Sequence, residues 1–204
     1  MVDWVIVTSQ IMKGEMKKQE PDKEKVEELV LRAQRGDTDA FGELYDLYVD
    51  GIYRYIYFRV DREEALDMTE NVFLKVWENL KSYRKVNNKF FSSWLYRIAH
   101  NIVVDYYRMR KEVVDISKLH LPDEKRMNDP VVLAEQSLSQ DVLKEAIGKL
   151  NKQYRQLILL KFINGLDNRE IAGIMRRSEG NLRILKFRAL KSLRRILEEM
   201  NIKY

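Results

Sequence analysis

The chain has 204 residues, no cysteine, two histidines and a formal net charge of +5. The lack of cysteine excludes a disulfide framework, thiol catalysis and cysteine-ligated zinc or iron–sulfur sites. His100 and His120 alone leave little for metal binding or histidine acid–base chemistry, and eight glycines with three prolines argue against a turn-rich all-β fold. The small net charge hides a strong segmentation. Residues 1–36 are neutral, 37–80 carry −7, 81–111 carry +7, 112–150 carry −3 and 151–204 carry +8. Two basic blocks alternating with acidic ones suggest two separate polyanion contacts rather than an evenly solvated surface.

Residues 1–20 are expected to form a disordered N-terminal extension. Its apolar start, Met1 to Val7, lacks a basic leader region, and Met12 or Met16 could serve as later starts. No run reaches the roughly 20 apolar residues of a membrane-spanning helix, so no membrane insertion and a cytoplasmic location are expected. From there the apolar residues recur almost everywhere at helical spacing. A helix from about Lys23 to Arg35 stops at Gly36. Asp37 or Thr38 can cap a long helix carrying Phe41, Leu44, Tyr45, Tyr48, Ile52, Tyr55 and Ile56. Asp61 and Glu64 suggest a capping box for a helix with an apolar stripe of Ala65, Met68, Val72, Phe73, Val76, Trp77 and Leu80. Ser92 or Ser93 opens the next, with Leu95, Ile98, Ala99, Ile102 and Val103 inward.

Residues 112–133 are polar, hold Pro122 and Pro130 and lose the periodicity, as a flexible linker would. Beyond them helices are expected from Leu133 to Leu150, Asn151 to Asn164, Asn168 to Met175, and from a Ser178 cap to about Met200. The predicted fold is all-α: two small helical domains, 21–111 and 134–204, joined by the linker.

The last two helices form a helix-turn-helix pattern. Ile171 and Ala172 sit where the first helix presses on the second, and Leu182, Leu185, Ala189, Leu193 and Ile196 line the core stripe of the second. The opposite face is basic. In such motifs residues near the N-terminus of the second helix reach base edges, which selects Glu179, Asn181, Arg183 and Lys186. Arg176, Arg177 and Arg188 suit phosphates, and the Ser178 cap leaves N–H groups to face one.

The +7 segment holds seven of the 21 aromatic residues in 31 positions. Rings interleaved with cations suit single-stranded nucleic acid, on which bases stack and charges track the backbone. Trp94, Tyr96 and Tyr106 could equally pack in a core. The acidic segment 37–80 would repel DNA, which leaves either a solvated face or a basic protein partner.

Leu29–Asp37 with Ala40-Phe41 and Leu44-Tyr45, Ala65–Trp77, Trp94–Asn101 with Asp105–Arg108, and Glu170–Ala172 with Ser178–Gly180 and Arg188-Ala189 occur in order. Together they resemble a bacterial RNA polymerase sigma factor of the extracytoplasmic-function (ECF) group, with sigma region 2 and region 4 and little between. The resemblance implies a transcription initiation factor that binds core RNA polymerase, through its β′ clamp helices and β flap, and promoter DNA. It implies a core-polymerase surface of Asp67, Met68, Glu70, Asn71, Phe73 and Trp77. It also implies a −10 strand surface of Lys89, Trp94, Arg97, Asn101, Asp105, Tyr106, Arg108 and Arg110. The −35 duplex would fall to Arg176, Arg177, Ser178, Glu179, Asn181, Arg183, Lys186 and Arg188, and an anti-sigma factor is expected. Leu66, Glu70 and Asn71 stand where the family usually has Glu, Gln and Glu. Ile184 and Leu185 stand where Ser and Arg are frequent.

No phosphate-binding loop, metal cluster or nucleophile constellation is present, so neither cofactor nor catalytic residue is expected. The alternative is a stand-alone helix-turn-helix regulator, which would dimerise on a palindromic site and give the basic aromatic block no task.

Overall fold

The computed structural model describes residues 22–85, 90–116 and 134–200, with side chains outside 111–141. The described residues are helical, without a strand. Helix α1 (Lys23–Gln34) buries Val26, Leu29, Val30 and Ala33. It ends at Gly36, whose φ of +98° lies in the left-handed region that glycine enters without a Cβ clash. Asp37 then caps α2 (Thr38–Tyr57), its carboxylate accepting from the Ala40 N–H at 3.0 Å. That bond, with the Arg32 guanidinium 2.8 Å away, holds the Asp37 carboxyl below its ordinary value.

Helix α3 (Arg62–Leu80) follows Asp61 without the predicted capping box, since the Asp61 side chain makes no capping bond. The Glu64 carboxylate instead accepts from the Tyr106 hydroxyl at 3.4 Å. Helix α4 (Phe91–Ile116) begins before Ser92 and Ser93, so neither serine is its cap. Both sit inside its first turn with their hydroxyls directed to another helix. α4 also runs to residue 116, into the stretch expected to be linker. The 1–20 extension and residues 117–133 lie outside the described residues.

The C-terminal part comprises α5 (Ala134–Lys149), α6 (Lys152–Ile158), α7 (Asn168–Met175) and α8 (Glu179–Glu199). The helix expected over 151–164 changes character after Ile158 and widens into a π-helical turn, Leu159–Ile163. The turn shifts the helical register, and Leu159, Leu160 and Ile163 are all buried there. Asn164 closes it, its amide donating to the Leu159 carbonyl at 3.0 Å.

The centre of the N-terminal bundle is α2. Ile52, Tyr55 and Ile56 are inaccessible to solvent and share one continuous core with Leu95 and Ala99 of α4, where Tyr55 meets the Tyr96 ring at 5.4 Å. A Cβ on Gly51 would stand 2.7 Å from the Tyr96 hydroxyl, so this glycine sets the approach of α2 to α4. Phe41 meets Trp77 edge-on at 4.8 Å and Tyr45 tilts against Phe73 at 4.6 Å, fixing α3 on α2. Such ring pairs add about 0.5–1.5 kcal/mol beyond the area they bury.

Candidate nucleic-acid interface

Three helices present charged or apolar groups that the core does not consume. On α3 the buried stripe (Ala65, Met68, Val72, Phe73, Val76, Leu80) leaves an outer face of Asp67, Glu70 and Asn71, with Trp77 at 42% exposure. Met68 and Phe73, expected on the polymerase surface, are core residues. Leu66 and Leu74, 52% and 57% exposed, belong to the outer face. They fall between the stripe positions, and that mismatch is the signal which a search for core periodicity passes over.

On α4 the positions 94, 97, 101, 105 and 108 recur at three- and four-residue steps and share one side of the helix. Asn101 and Arg108 are exposed, and Trp94, Arg97 and Asp105 half-buried. Trp94 leans on Tyr83 at 4.9 Å and Phe91 at 5.6 Å, which fixes the ring while leaving part of it accessible. Arg97 Nε is buried with no hydrogen-bond partner. Asp105 pairs with Arg108 at 3.1 Å in solvent, a contact weak enough to exchange for another.

Tyr106 and Arg110 lie on the side of α4 that faces α3, where the guanidinium donates to the phenol at 2.9 Å. Burial, then the Glu64 carboxylate, pushes the Tyr106 hydroxyl above its ordinary value, so it stays a neutral donor. Tyr96 is buried against Tyr55 at 5.4 Å and belongs to the core. Lys89 lies outside the described residues. Val104 and Met109 are further exposed apolar groups on α4.

The third surface is the helix-turn-helix. Asp167 accepts from the Glu170 N–H at 2.7 Å while the Glu170 carboxylate accepts from the Asp167 N–H at 3.0 Å, a complete capping box for α7. Ile171 and Ile174 are buried in the common core with the inner face of α8. The turn places Arg176 at φ +53°, where a non-glycine residue costs about 1–2 kcal/mol. Ser178 Oγ accepts from the Asn181 N–H at 3.3 Å and opens α8. Leu182, Leu185, Ala189, Leu193, Ile196 and Leu197 are its buried face. Arg176, Arg177, Ser178, Glu179, Asn181, Arg183 and Arg188 are all exposed and Lys186 is half-buried. Ile184 and Phe187 add 55% and 70% exposed apolar groups to the same helix. Beside hydrogen-bonding side chains, such groups can contact thymine methyls in a major groove.

An acidic and apolar helix face, a helix carrying exposed aromatic and basic groups and a capped basic helix-turn-helix are surfaces of the kind that a DNA-binding protein with a protein partner presents. The Sigma-70 region 2 family model matches residues 44–113 and the Sigma-70 region 4 model residues 140–193. The chain is 37% identical over 182 residues to the ECF RNA polymerase sigma factor BldN of Streptomyces coelicolor, covering 87% of this chain and 68% of that protein. It is 31% identical over 188 residues to the ECF RNA polymerase sigma factor SigW of Bacillus subtilis, covering 86% and 98%.

Two solved structures share the fold. One is CnrH in complex with the cytosolic domain of CnrY (TM-score 0.66, 22% identity, 87% of this chain and 99% of that one). The other is the sigma factor RpoE with the anti-sigma factor NepR from Bartonella quintana (TM-score 0.64, 20% identity, 78% and 96%). The chain belongs to the ECF sigma factors, and its function is that of a sigma factor in transcription initiation. Matches spanning both regions do not favour a stand-alone regulator. No helix among the described residues is long and apolar enough to cross a membrane.

Proposed function

We propose that three helices divide the work of initiation. α3 docks core polymerase through Asp67, Glu70, Asn71 and Trp77, with the exposed Leu66 and Leu74 completing a mixed acidic and apolar face. α4 holds the melted −10 strand along Trp94, Arg97, Asn101, Asp105 and Arg108, with Tyr106 and Arg110 at its edge. Unstacking a base costs a few kcal/mol, and stacking at about 1–3 kcal/mol per base can offset it. α8 enters the −35 major groove, with Glu179, Asn181, Arg183 and Lys186 toward bases and Arg176, Arg177, Ser178 and Arg188 toward phosphates.

The observation that carries this reading is the capped, exposed basic face of α8 on an intact helix-turn-helix. The left-handed Arg176 supports it too: a strained position where glycine would be easier holds a guanidinium instead. The domains expected over 21–111 and 134–204 would act as region 2 and region 4, joined through 112–133. The factor is not an enzyme and works in the cytoplasm on polymerase and promoter. Both structural relatives are complexes, one with the CnrY cytosolic domain and one with the anti-sigma factor NepR, and by likeness an anti-sigma factor is a partner here.

Asp67→Arg tests the division of labour. Asp67 is exposed on α3, so the variant should keep its helical content and lose core-polymerase binding in a pull-down. Retained binding would place the docking surface elsewhere.

A further inference from the structure

A cavity of about 190 Å³ is walled by α1, α2, α4 and residues 163–166 at the end of the π-helical turn. It is smaller than the roughly 300–1,000 Å³ of drug-sized sites and larger than a single water requires, which is the room of a small metabolite. Its α2 wall is one helix face, since Leu47, Gly51 and Arg54 stand at four- and three-residue steps. Val26, Leu47, Phe91, Ile163 and Leu166 make the lining mostly apolar. Gly51 hollows the wall. A Cβ there would stand 2.7 Å from the Tyr96 hydroxyl and 3.5 Å from Asn164 Oδ1, so the missing side chain leaves a space on which two polar groups converge.

Three polar groups line this space with bonding capacity unspent among the described residues. Arg54 Nε and Asn164 Oδ1 are buried atoms without a hydrogen-bond partner. The Asn164 amide nitrogen donates to the Leu159 carbonyl at 3.0 Å, which leaves Oδ1 as an acceptor turned elsewhere. Burial pushes the Tyr96 hydroxyl far above its ordinary value, so it stays a neutral donor. The other charges on the cavity are engaged. Lys23 meets Asp167 at 2.7 Å, Glu27 meets Lys85, and the two Glu170 oxygens accept from the Ser92 hydroxyl and the Asp167 N–H. Arg54 is left as a cation without a counter-charge in a mostly apolar hollow. Such groups are costly to the empty protein unless a partner meets them.

We propose that this cavity binds a small hydroxylated aromatic carboxylate, its acid group on the Arg54 guanidinium and its hydroxyl on Asn164 Oδ1. A guanidinium in apolar surroundings selects a carboxylate, because charge-assisted bonds are the strongest it can make. The orphaned acceptor at Asn164 selects a donor on the ligand, and the Tyr96 hydroxyl can donate to either ligand oxygen. The body between them must be apolar to face Leu47, Ile163 and Leu166, and the Phe91 and Tyr48 rings on the wall suit a planar one. Inorganic phosphate, polar on all sides, would set oxygens against those aliphatic groups. The site is independent of how α3, α4 and α8 divide the work of initiation.

The test is calorimetric titration of the full chain with 4-hydroxybenzoate and 4-hydroxyphenylacetate, against 4-hydroxyphenylacetamide and inorganic phosphate at equal ionic strength. At least one acid should bind once per chain with a Kd of about 1 mM or tighter and raise the melting temperature as its concentration grows. The amide keeps the ring and hydroxyl but lacks the charge, and should bind at least about tenfold more weakly. Arg54→Gln should abolish acid binding. Because Arg54 has no counter-charge to lose, the ligand-free variant should melt no lower than the wild type. Gly51→Ala refills the hollow and should weaken the acid at least about tenfold.

No heat and no melting shift with either acid up to about 10 mM would overturn the proposal. Equal binding of the amide or of phosphate would overturn it too, as would unchanged acid affinity in Arg54→Gln. Should that variant not fold, the comparison of acid with amide on the wild-type chain decides alone.

Discussion

At the scale of single residues, the chemistry sits where side chains escape the core. Arg183 is exposed at the second turn of α8. Arg183→Ala should weaken promoter DNA binding of the polymerase complex by about 1–3 kcal/mol, measured by titration at fixed salt. It should also relax preference at one −35 position, whereas unchanged affinity and preference would remove Arg183 from the reading set. His100 is a structural counterpart. Its ring Nδ1 lies 3.4 Å from the Tyr55 hydroxyl, and the Arg59 guanidinium stacks 3.6 Å over that phenol. Burial, then the Arg59 charge, depresses the His100 pKa below 6.5. The unfolded chain therefore takes the proton first, and stability falls as pH drops below about 6.5. The urea midpoint of the wild type should decline from pH 7 to 5, and His100→Gln should flatten that decline. An equal decline in both would assign it elsewhere. Residues such as Leu74 and Phe187 are hard to find from sequence because periodicity marks what faces inward. An exposed apolar residue is recognised only once its neighbours are in place.

At the scale of elements, most of the fold was legible because helices advertise themselves by stripe and cap. Gly36, Asp37 and Ser178 end or begin helices as their chemistry suggests. Three local features were not legible, two of them decided by a distant partner. Glu64 turns to Tyr106 rather than to its own helix start. Ser92 and Ser93 serve Glu170 rather than a cap. The π-helical turn after Ile158 carries Leu159, Leu160 and Ile163, all buried. The capping box of α7 is the element on which the helix-turn-helix depends most. Burial raises the Asp167 carboxyl, but Lys23 and the Glu170 N–H outweigh it and hold the group below its ordinary value. Asp167→Ala should destabilise the chain by about 1–2 kcal/mol in urea unfolding, the cap being worth about 1 kcal/mol. Asp167→Asn keeps a capping oxygen and should cost less. Equal losses would mean that the ion pair, not the cap, dominates.

At the scale of the whole molecule, a net charge of +5 resolves into segments of opposite sign, −7 over 37–80 against +7 over 81–111 and +8 over 151–204. The segmentation was readable from composition alone. What composition could not show is the contact of α4 with α7, which uses serine, glycine and one glutamate, residue types with no charge-block or periodicity signal. The most direct measurement for the whole account is run-off transcription with purified core polymerase on genomic fragments, with and without this chain and its Asp67→Arg variant. New discrete start sites, sharing two short upstream motifs, are expected with the wild-type chain and none with the variant. If core polymerase shown to be active with another sigma factor opens no fragment with this chain, or opens the same set with Asp67→Arg, the assignment of α3, α4 and α8 is contradicted.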